Sequence, residues 1–285
     1  MQTFIQIIES SVSIMIPVFF AALGGLFPAL AGTLNIALEG LLFAGAFSSL
    51  TVFYFSGNAA AAIFAAILSS LILCALHIFS VFKLRANLFI SGLAVNLLSA
   101  GLCIALSEKI FKTKGVVTAD SINGLLNVYL IIGAVLLLFS WLAIYKTPFG
   151  YRLRACSSET AGDKNITSLV SLGINPVNYQ ITAILISGFF CGIGGAFLSL
   201  NLGAFVPGMS AGKGWIALAV IFLGAKKPAG VLAASFAFAL AESFSNYAQG
   251  LWNVPAGFIL AFPYVCTLIA MIVVSLIDKK FRIRI

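Results

Sequence analysis

Apolar residues along this chain come in blocks of about 20, separated by short polar breaks. The blocks run roughly over 11–31, 34–56, 58–82, 86–107, 127–145, 178–201, 212–225, 229–247 and 254–277. A block of that length crosses a bilayer as a helix, because every backbone N–H and C=O must be satisfied within the segment where water does not reach. The alternating ten-residue strands of an outer-membrane barrel do not occur. The pattern predicts an all-α, polytopic helical membrane protein with about nine spans, eight to ten being the range. One transmembrane domain over 1–285 is the natural division.

The block 212–225 is short for a bilayer, so it is either extended by helix from the glycine-rich segment before it or is a half-helix. Irregular backbone at such depth has to face protein or water. The largest break, 146–179, is unlike the others. It holds Gly150-Tyr151-Arg152-Leu153-Arg154-Ala155, a polar stretch through Glu159 and Asp163, an apolar run from Ile166 to Leu172, and Gly173-Ile174-Asn175-Pro176. That order predicts a short helix stopped at Gly173 and a new helix starting past Pro176. With Leu169, Val170 and Leu172 exposed it would be poorly soluble alone, so it should dock on something or else lie on the lipid interface.

Charge then orients the spans. Lys83 and Arg85, then Lys146, Arg152, Arg154 and Lys164, then Lys226 and Lys227, then Lys279, Lys280, Arg282 and Arg284 all fall on one side. The positive-inside rule makes that side cytoplasmic, with the N-terminus outside and the C-terminus inside. The break 108–126 falls on the other side despite Lys109, Lys112 and Lys114, a conflict softened by Glu108 and Asp120. The N-terminus has no positive n-region and no small-residue cleavage site, so no removable signal peptide is expected.

Composition narrows the chemistry. The chain is 61% hydrophobic and 8% charged, far from the balance of a soluble domain. Its net charge of +8 lies in inter-helix breaks and the tail rather than along one face, which argues against nucleic acid as a partner. Five cysteines form no Cys-x-x-Cys pair, and neither disulfide nor metal is expected. The single histidine, His77, packs or snorkels rather than binding a metal. No zinc-protease, nucleophile-elbow or close paired-carboxylate pattern occurs, so an enzyme is not expected. Phe205 to Ala217 resembles a phosphate loop only superficially, because Gly208 to Gly212 is one residue short and Lys213 precedes Gly214 instead of Ser or Thr.

Two carboxylates interrupt the apolar blocks. Glu39 lies in Gly32-Thr-Leu-Asn-Ile-Ala-Leu-Glu-Gly40, with no basic residue near it in sequence. If that segment is helical, Asn35 and Glu39 stack on one face, and Gly32 and Gly40 allow close backbone approach. Glu242 comes with Ser245, Asn246 and Gln249 on one helical face, which is unfit for lipid. A charge at mid-bilayer costs about 2.5 to 3.5 kcal/mol on insertion scales and usually faces a cavity or a partner; the alternatives are a wet position near a membrane surface for Glu39 and a solvent-exposed mouth for Glu242. Uphill transport would need an ion gradient or a nucleotide-hydrolysing partner, and the large polar break favours the partner.

Four ordered motifs carry a family resemblance: Gly32 to Gly40 with Leu-Leu-Phe-Ala-Gly-Ala-Phe after it, Ile90 to Leu98, Gly150 to Ala155, and Gly208 to Ala219. Together they resemble the permease subunits of bacterial ATP-binding-cassette importers, in the nucleoside and simple-sugar branch related to branched-chain amino acid permeases. The resemblance covers roughly residues 15 to 275. It implies a subunit of the cytoplasmic membrane that pairs with a second homologous permease, a cytoplasmic ATPase and an extracytoplasmic substrate-binding protein or lipoprotein. The chain itself would bind no cofactor, the ATP being used by the ATPase subunit. The loop 146–179 would carry the coupling helix, with Arg152, Arg154 and Glu159 at the matching polar positions and Leu169 and Gly173 in the run that follows. Asn35, Glu39, Asn96, Glu242 and Asn246 are then the candidate path or gate residues. Ala29 and Leu30 stand where relatives often carry a Glu-Arg pair, so Glu39 must find its compensation in water, Asn35 or another helix. The alternative is an ion-coupled secondary transporter or channel for a small polar solute, using Glu39 or Glu242.

Overall fold

A computed structural model describes residues 2–119, 122, 124–157 and 169–249. Its helices are α1 Gln2–Leu30, α2 Leu38–Ser56, α3 Ala59–Ile78, α4 Leu88–Phe111, α5 Leu125–Lys146, α6 Pro148–Ala155, α7 Pro176–Leu202, α8 Lys213–Leu223 and α9 Pro228–Gln249. A π-helical turn, Phe79–Lys83, ends α3. Seven of these helices are long and apolar enough to cross a membrane. The protein is therefore polytopic and helical. Of the nine blocks, the described residues contain seven as full-length helices and one, 212–225, as the eleven-residue half-helix α8. The ninth block, 254–277, and the C-terminal basic cluster lie outside the described residues.

The helix ends follow local chemistry. Asn58, Asn87 and Asn175 each accept a backbone N–H at the start of a helix, satisfying donors that have no intrahelical partner. Pro148 and Pro176 occupy first-turn positions, where a missing N–H costs nothing. Gly173, at φ +74°, ends a turn in which Ile174 N–H reaches Leu169 C=O and Gly173 N–H reaches Val170 C=O, as the Gly-to-Pro spacing predicts.

Packing sorts the helices into two groups. At the centre α7 packs on both α1 and α2, with α9 and α8 against α1 and α3 against α2 and α7. Glycine makes this possible, for a Cβ on Gly195 would lie 2.4 Å from Leu42 O, and one on Gly192 would lie 2.6 Å from Ile67 Cα. Serines then stitch helix to helix: Ser49 to Ser199, Ser48 to Ser69, and Ser70 to Leu41 C=O. By contrast α3, α4 and α5 expose Phe64, Ile72, Leu97, Ile131 and Phe139 outward, the composition of a lipid-facing surface.

The helices alternate in direction, so Lys83, Arg85, Lys146, Arg152, Arg154, Lys226 and Lys227 gather at one end, here the basic end. At the other end the α4–α5 and α7–α8 connections meet in a two-residue antiparallel pair, Val117 with Phe205 and Thr118 with Ala204. Ser243 of α9 donates to Ile7 C=O of α1 on that side. Nothing in the hydrophobic pattern foretells the strand pair.

Candidate functional site: a carboxylate on a half-helix

The chain leaves α7 at Gly203, passes through Ala204–Phe205 and descends as consecutive turns, with Met209 N–H bonded to Val206 C=O and Ala211 N–H to Gly208 C=O. Gly208 and Gly212 take φ of +76° and +81°, open to glycine at no steric cost. Only at Lys213 does helix resume. Eleven residues of α8 make about 16 Å of helix, half of a hydrocarbon core roughly 30 Å thick. The N-terminus of α8 therefore opens near mid-depth, inside the bundle.

Glu39 meets it there. Its Oε1 accepts the Gly212 N–H at 2.9 Å and its Oε2 the Gly214 N–H at 2.6 Å. Both oxygens thus satisfy orphan donors of a helix start, where the positive end of the helix dipole also favours an anion. Gly214 is required by contact, since a Cβ on it would fall 2.3 Å from Glu39 N. The half-buried carboxylate is compensated by another helix, not by an arginine.

Asn35 and Glu39 do not share a helix face. The segment 31–37 is irregular and α2 begins at Leu38. The reason lies in Asn35 itself, whose Oδ1 accepts the Ala37 N–H at 3.0 Å, offering the backbone a turn in place of helix. Its Nδ2 donates to Ser187 Oγ of α7 at 2.7 Å, and the side chain is fully buried. Asn96 of α4 closes the same junction, with Oδ1 accepting Gly40 N–H at 2.8 Å and Nδ2 donating to Ile36 C=O at 2.9 Å. Gly40 admits this approach, because a Cβ there would be 2.8 Å from Asn96 Cα. Gly32, at φ +77°, abuts Ser157 beyond α6. Asn35, Glu39 and Asn96 therefore form one junction holding the starts of α2 and α8.

Glu242 on α9 belongs to the same neighbourhood by a different contact. Its Oε1 pairs with Lys213 Nζ at 3.7 Å, the two side chains being 23% and 12% exposed. Its Oε2 is buried and has no hydrogen-bond partner among the described residues. Asn246, one turn further along α9, points outward and is exposed, whereas Ser243 and Ser245 are buried. Sequence reasoning missed Lys213, set aside with the false phosphate loop. A lone lysine entering an apolar run between two glycines was the available signal.

At the basic end, Thr147 caps α6 and Leu153 buries beneath it. Arg152 donates to the Tyr179 hydroxyl at 3.2 Å. The Arg154 guanidinium stacks over Tyr145 and Tyr151, 5.1 Å from each ring centroid. Leu169 is buried, while Val170 and Leu172 are 59% and 75% exposed. Burial pushes the Cys156 thiol, just beyond α6, above its ordinary range. Glu159 lies outside the described residues. His77 bonds Ser91 through Nδ1 at 2.9 Å. Among the described residues no three His, Cys, Asp or Glu side chains converge on a point.

A pocket of about 490 Å³ opens at the end opposite the basic one, lined by Phe53, Tyr54, Gly57, Thr118 and Ala119. Neither glutamate reaches it.

The sequence profile of the family described as "Branched-chain amino acid transport system / permease component" matches residues 7–276. The chain is 30% identical to the guanosine ABC transporter permease protein NupQ of Bacillus subtilis (strain 168), over 90% of this chain and 87% of that one. It is 29% identical, over the same shares, to the nucleoside ABC transporter permease protein NupC of Lactococcus lactis subsp. cremoris (strain MG1363). In fold it is similar to PsaBC from Streptococcus pneumoniae in complex with Fab, with a TM-score of 0.54, 14% identity, and 92% of this chain and 89% of that chain covered.

Proposed function

This chain belongs to the family of permease components of branched-chain amino acid transport systems, and on that premise we propose that it is the transmembrane subunit of an ATP-binding-cassette importer for nucleosides or simple sugars. The observation that carries the reading is the broken segment 203–223, a half-helix whose N-terminus opens at mid-depth. Transporters build their substrate paths from such discontinuous helices, where backbone groups leave the helical ladder and face a cavity. Support for nucleosides comes from the similarity to two permeases named for that substrate.

In this reading Asn35, Glu39 and Asn96 are positioning residues. Their polar atoms are engaged in holding α2 and α8, so they set the shape of the path instead of binding solute. Glu242 keeps a buried acceptor oxygen, the kind of group that a ribose or sugar hydroxyl satisfies. Asn246 lies outward of it on α9. The segment around Arg152, Arg154, Glu159, Leu169 and Gly173 is the surface for a cytoplasmic ATPase, which alone hydrolyses ATP. A second permease and an extracytoplasmic binding protein or lipoprotein complete the assembly in the bacterial cytoplasmic membrane, with the C-terminus on the cytoplasmic side.

Gradient coupling through Glu39 is disfavoured by its contacts. A proton site must gain and lose its proton, and Glu39 accepts two backbone N–H groups that a protonated carboxyl satisfies poorly. Mild extraction of native membranes tests the proposal. The chain is expected to co-purify with an ATPase subunit, and charge reversal at Arg152 and Arg154 to abolish substrate-stimulated hydrolysis. Repeated recovery as a free chain, or uptake by liposomes holding this chain alone under an imposed ion gradient, overturns it.

A further inference from the structure

A second cavity borders the segment assigned to the ATPase and lies apart from the solute path. A cleft of about 460 Å³ lies between α1, α5, α6 and α7 on the basic half of the bundle, with Phe27, Leu136, Phe139, Ala143, Phe149 and Ile186 among its walls. Its lining is almost wholly apolar, and its size falls within the roughly 300 to 1,000 Å³ of small-molecule sites. Along α5 it extends from Leu136 to Thr147, about three turns or roughly 16 Å of helix. That matches the depth of one leaflet of a hydrocarbon core roughly 30 Å thick.

The mouth has a different character. Phe149 packs against the Tyr179 ring at 5.8 Å, and the Tyr179 hydroxyl accepts from Arg152. Lys146, next in sequence to the cleft-wall residue Thr147, extends over the Trp141 ring, 5.8 Å from its centroid. Lys146, Trp141, Tyr151 and Arg152 are all exposed. Tryptophan and tyrosine are the side chains of the membrane–water boundary, and among the described residues neither Lys146 nor Arg152 meets a carboxylate within ion-pair distance. An apolar slot one leaflet deep, with two cations near its wall residues Thr147 and Phe149 at the boundary, fits an amphiphile with one acyl chain and an anionic head.

We propose that this cleft binds an anionic phospholipid of the leaflet at the basic end, its acyl chain lying between α5 and α7 and its phosphate held by Lys146 and Arg152. The lipid then braces α6, because Thr147 and Phe149 are both cleft wall and the start of that helix. A second protein chain is the less suitable occupant, since an apolar cleft one leaflet long with cations beside it suits an anionic amphiphile and not the apolar face of a helix.

Native mass spectrometry on the purified full-length chain, in micelles doped with phosphatidylglycerol or phosphatidylcholine, tests this. Each juxtamembrane cation contributes about fivefold to retention of an anionic lipid, so the wild type is expected to hold phosphatidylglycerol preferentially and Lys146→Gln to lose about fivefold of that preference. Ala143→Trp and Ile186→Trp fill the slot from opposite walls. Each is expected to lose the bound lipid whatever its head group, and whichever variant folds decides. Equal retention of the two lipids by the wild type, retention unchanged in a folded slot-filling variant, or a photo-crosslink from position 139 to a second protein chain overturns the proposal.

Discussion

Glu39 and Glu242 are both carboxylates carried into apolar helices, and both meet the segment Gly212 to Gly214, yet they are held in opposite ways. Glu39 gives both oxygens to backbone N–H groups at 2.6 and 2.9 Å, donors fixed by a helix start and unable to turn away. Glu242 has a side-chain partner at 3.7 Å and an oxygen with no hydrogen bond among the described residues. The first contact is rigid and saturated, so it positions α8 against α2. The second is adjustable and leaves acceptor capacity, so it can respond to a ligand. A charge inside a membrane protein is thus not one kind of evidence; the number of acceptor sites still open separates a fixture from a candidate binding group.

Substitutions that erase this difference are the way to break the comparison, and the largest effect belongs to Glu39→Gln. The amide nitrogen would face a backbone N–H, and losing charge-assisted bonds to buried donors costs about 1.5 to 3 kcal/mol. Unfolding in mixed micelles should show a loss of that size, and wild-type stability would mean that the carboxylate is not holding α8. Next comes Gly214→Ala, which forces a methyl against Glu39 N. Overpacking of this kind costs about 1 to 3 kcal/mol, so the variant should express at reduced yield and melt earlier, with α8 pushed off α2.

Smaller effects sharpen the contrast. Glu242→Gln replaces a 3.7 Å ion pair with a neutral amide that keeps an acceptor beside Lys213, so stability should fall by less than in Glu39→Gln while the substrate concentration giving half-maximal uptake rises. An equal fall in stability for the two glutamine variants would erase the distinction. Asn246→Ala, at an exposed position, should alter stability by no more than about 0.5 kcal/mol, which thermal melting can check.

The helical bundle was legible from block length alone, because a bilayer leaves few alternatives for twenty apolar residues. The shortness of 212–225 left either an extension by helix from the glycine-rich segment or a half-helix, and the structure takes the half-helix. What the sequence did not carry was the pairing. A spacing of four gives Asn35 and Glu39 a shared face only if the segment is helical, but Asn35 makes its own turn with Ala37 and reaches Ser187 instead. Glu39 was open among water, Asn35 and another helix. Its partners are backbone N–H groups of Gly212 and Gly214, far along the chain, and backbone donors leave no mark on a side-chain pattern. Lys213 and Glu242 are separated by a half-helix and most of α9, a distance that charge spacing does not bridge.

The account rests on Glu39 holding the half-helix of an ATP-driven permease. Its most direct test is nucleoside uptake into proteoliposomes containing this chain assembled with its ATPase and binding-protein partners, comparing wild type with Glu39→Gln at equal recovered assembly. Uptake should require ATP in the wild type and fall by about tenfold or more in the variant, the rate equivalent of roughly 1.4 kcal/mol. Full ATP-driven uptake by an assembled Glu39→Gln complex, or wild-type uptake that proceeds on an ion gradient without ATP, would contradict it.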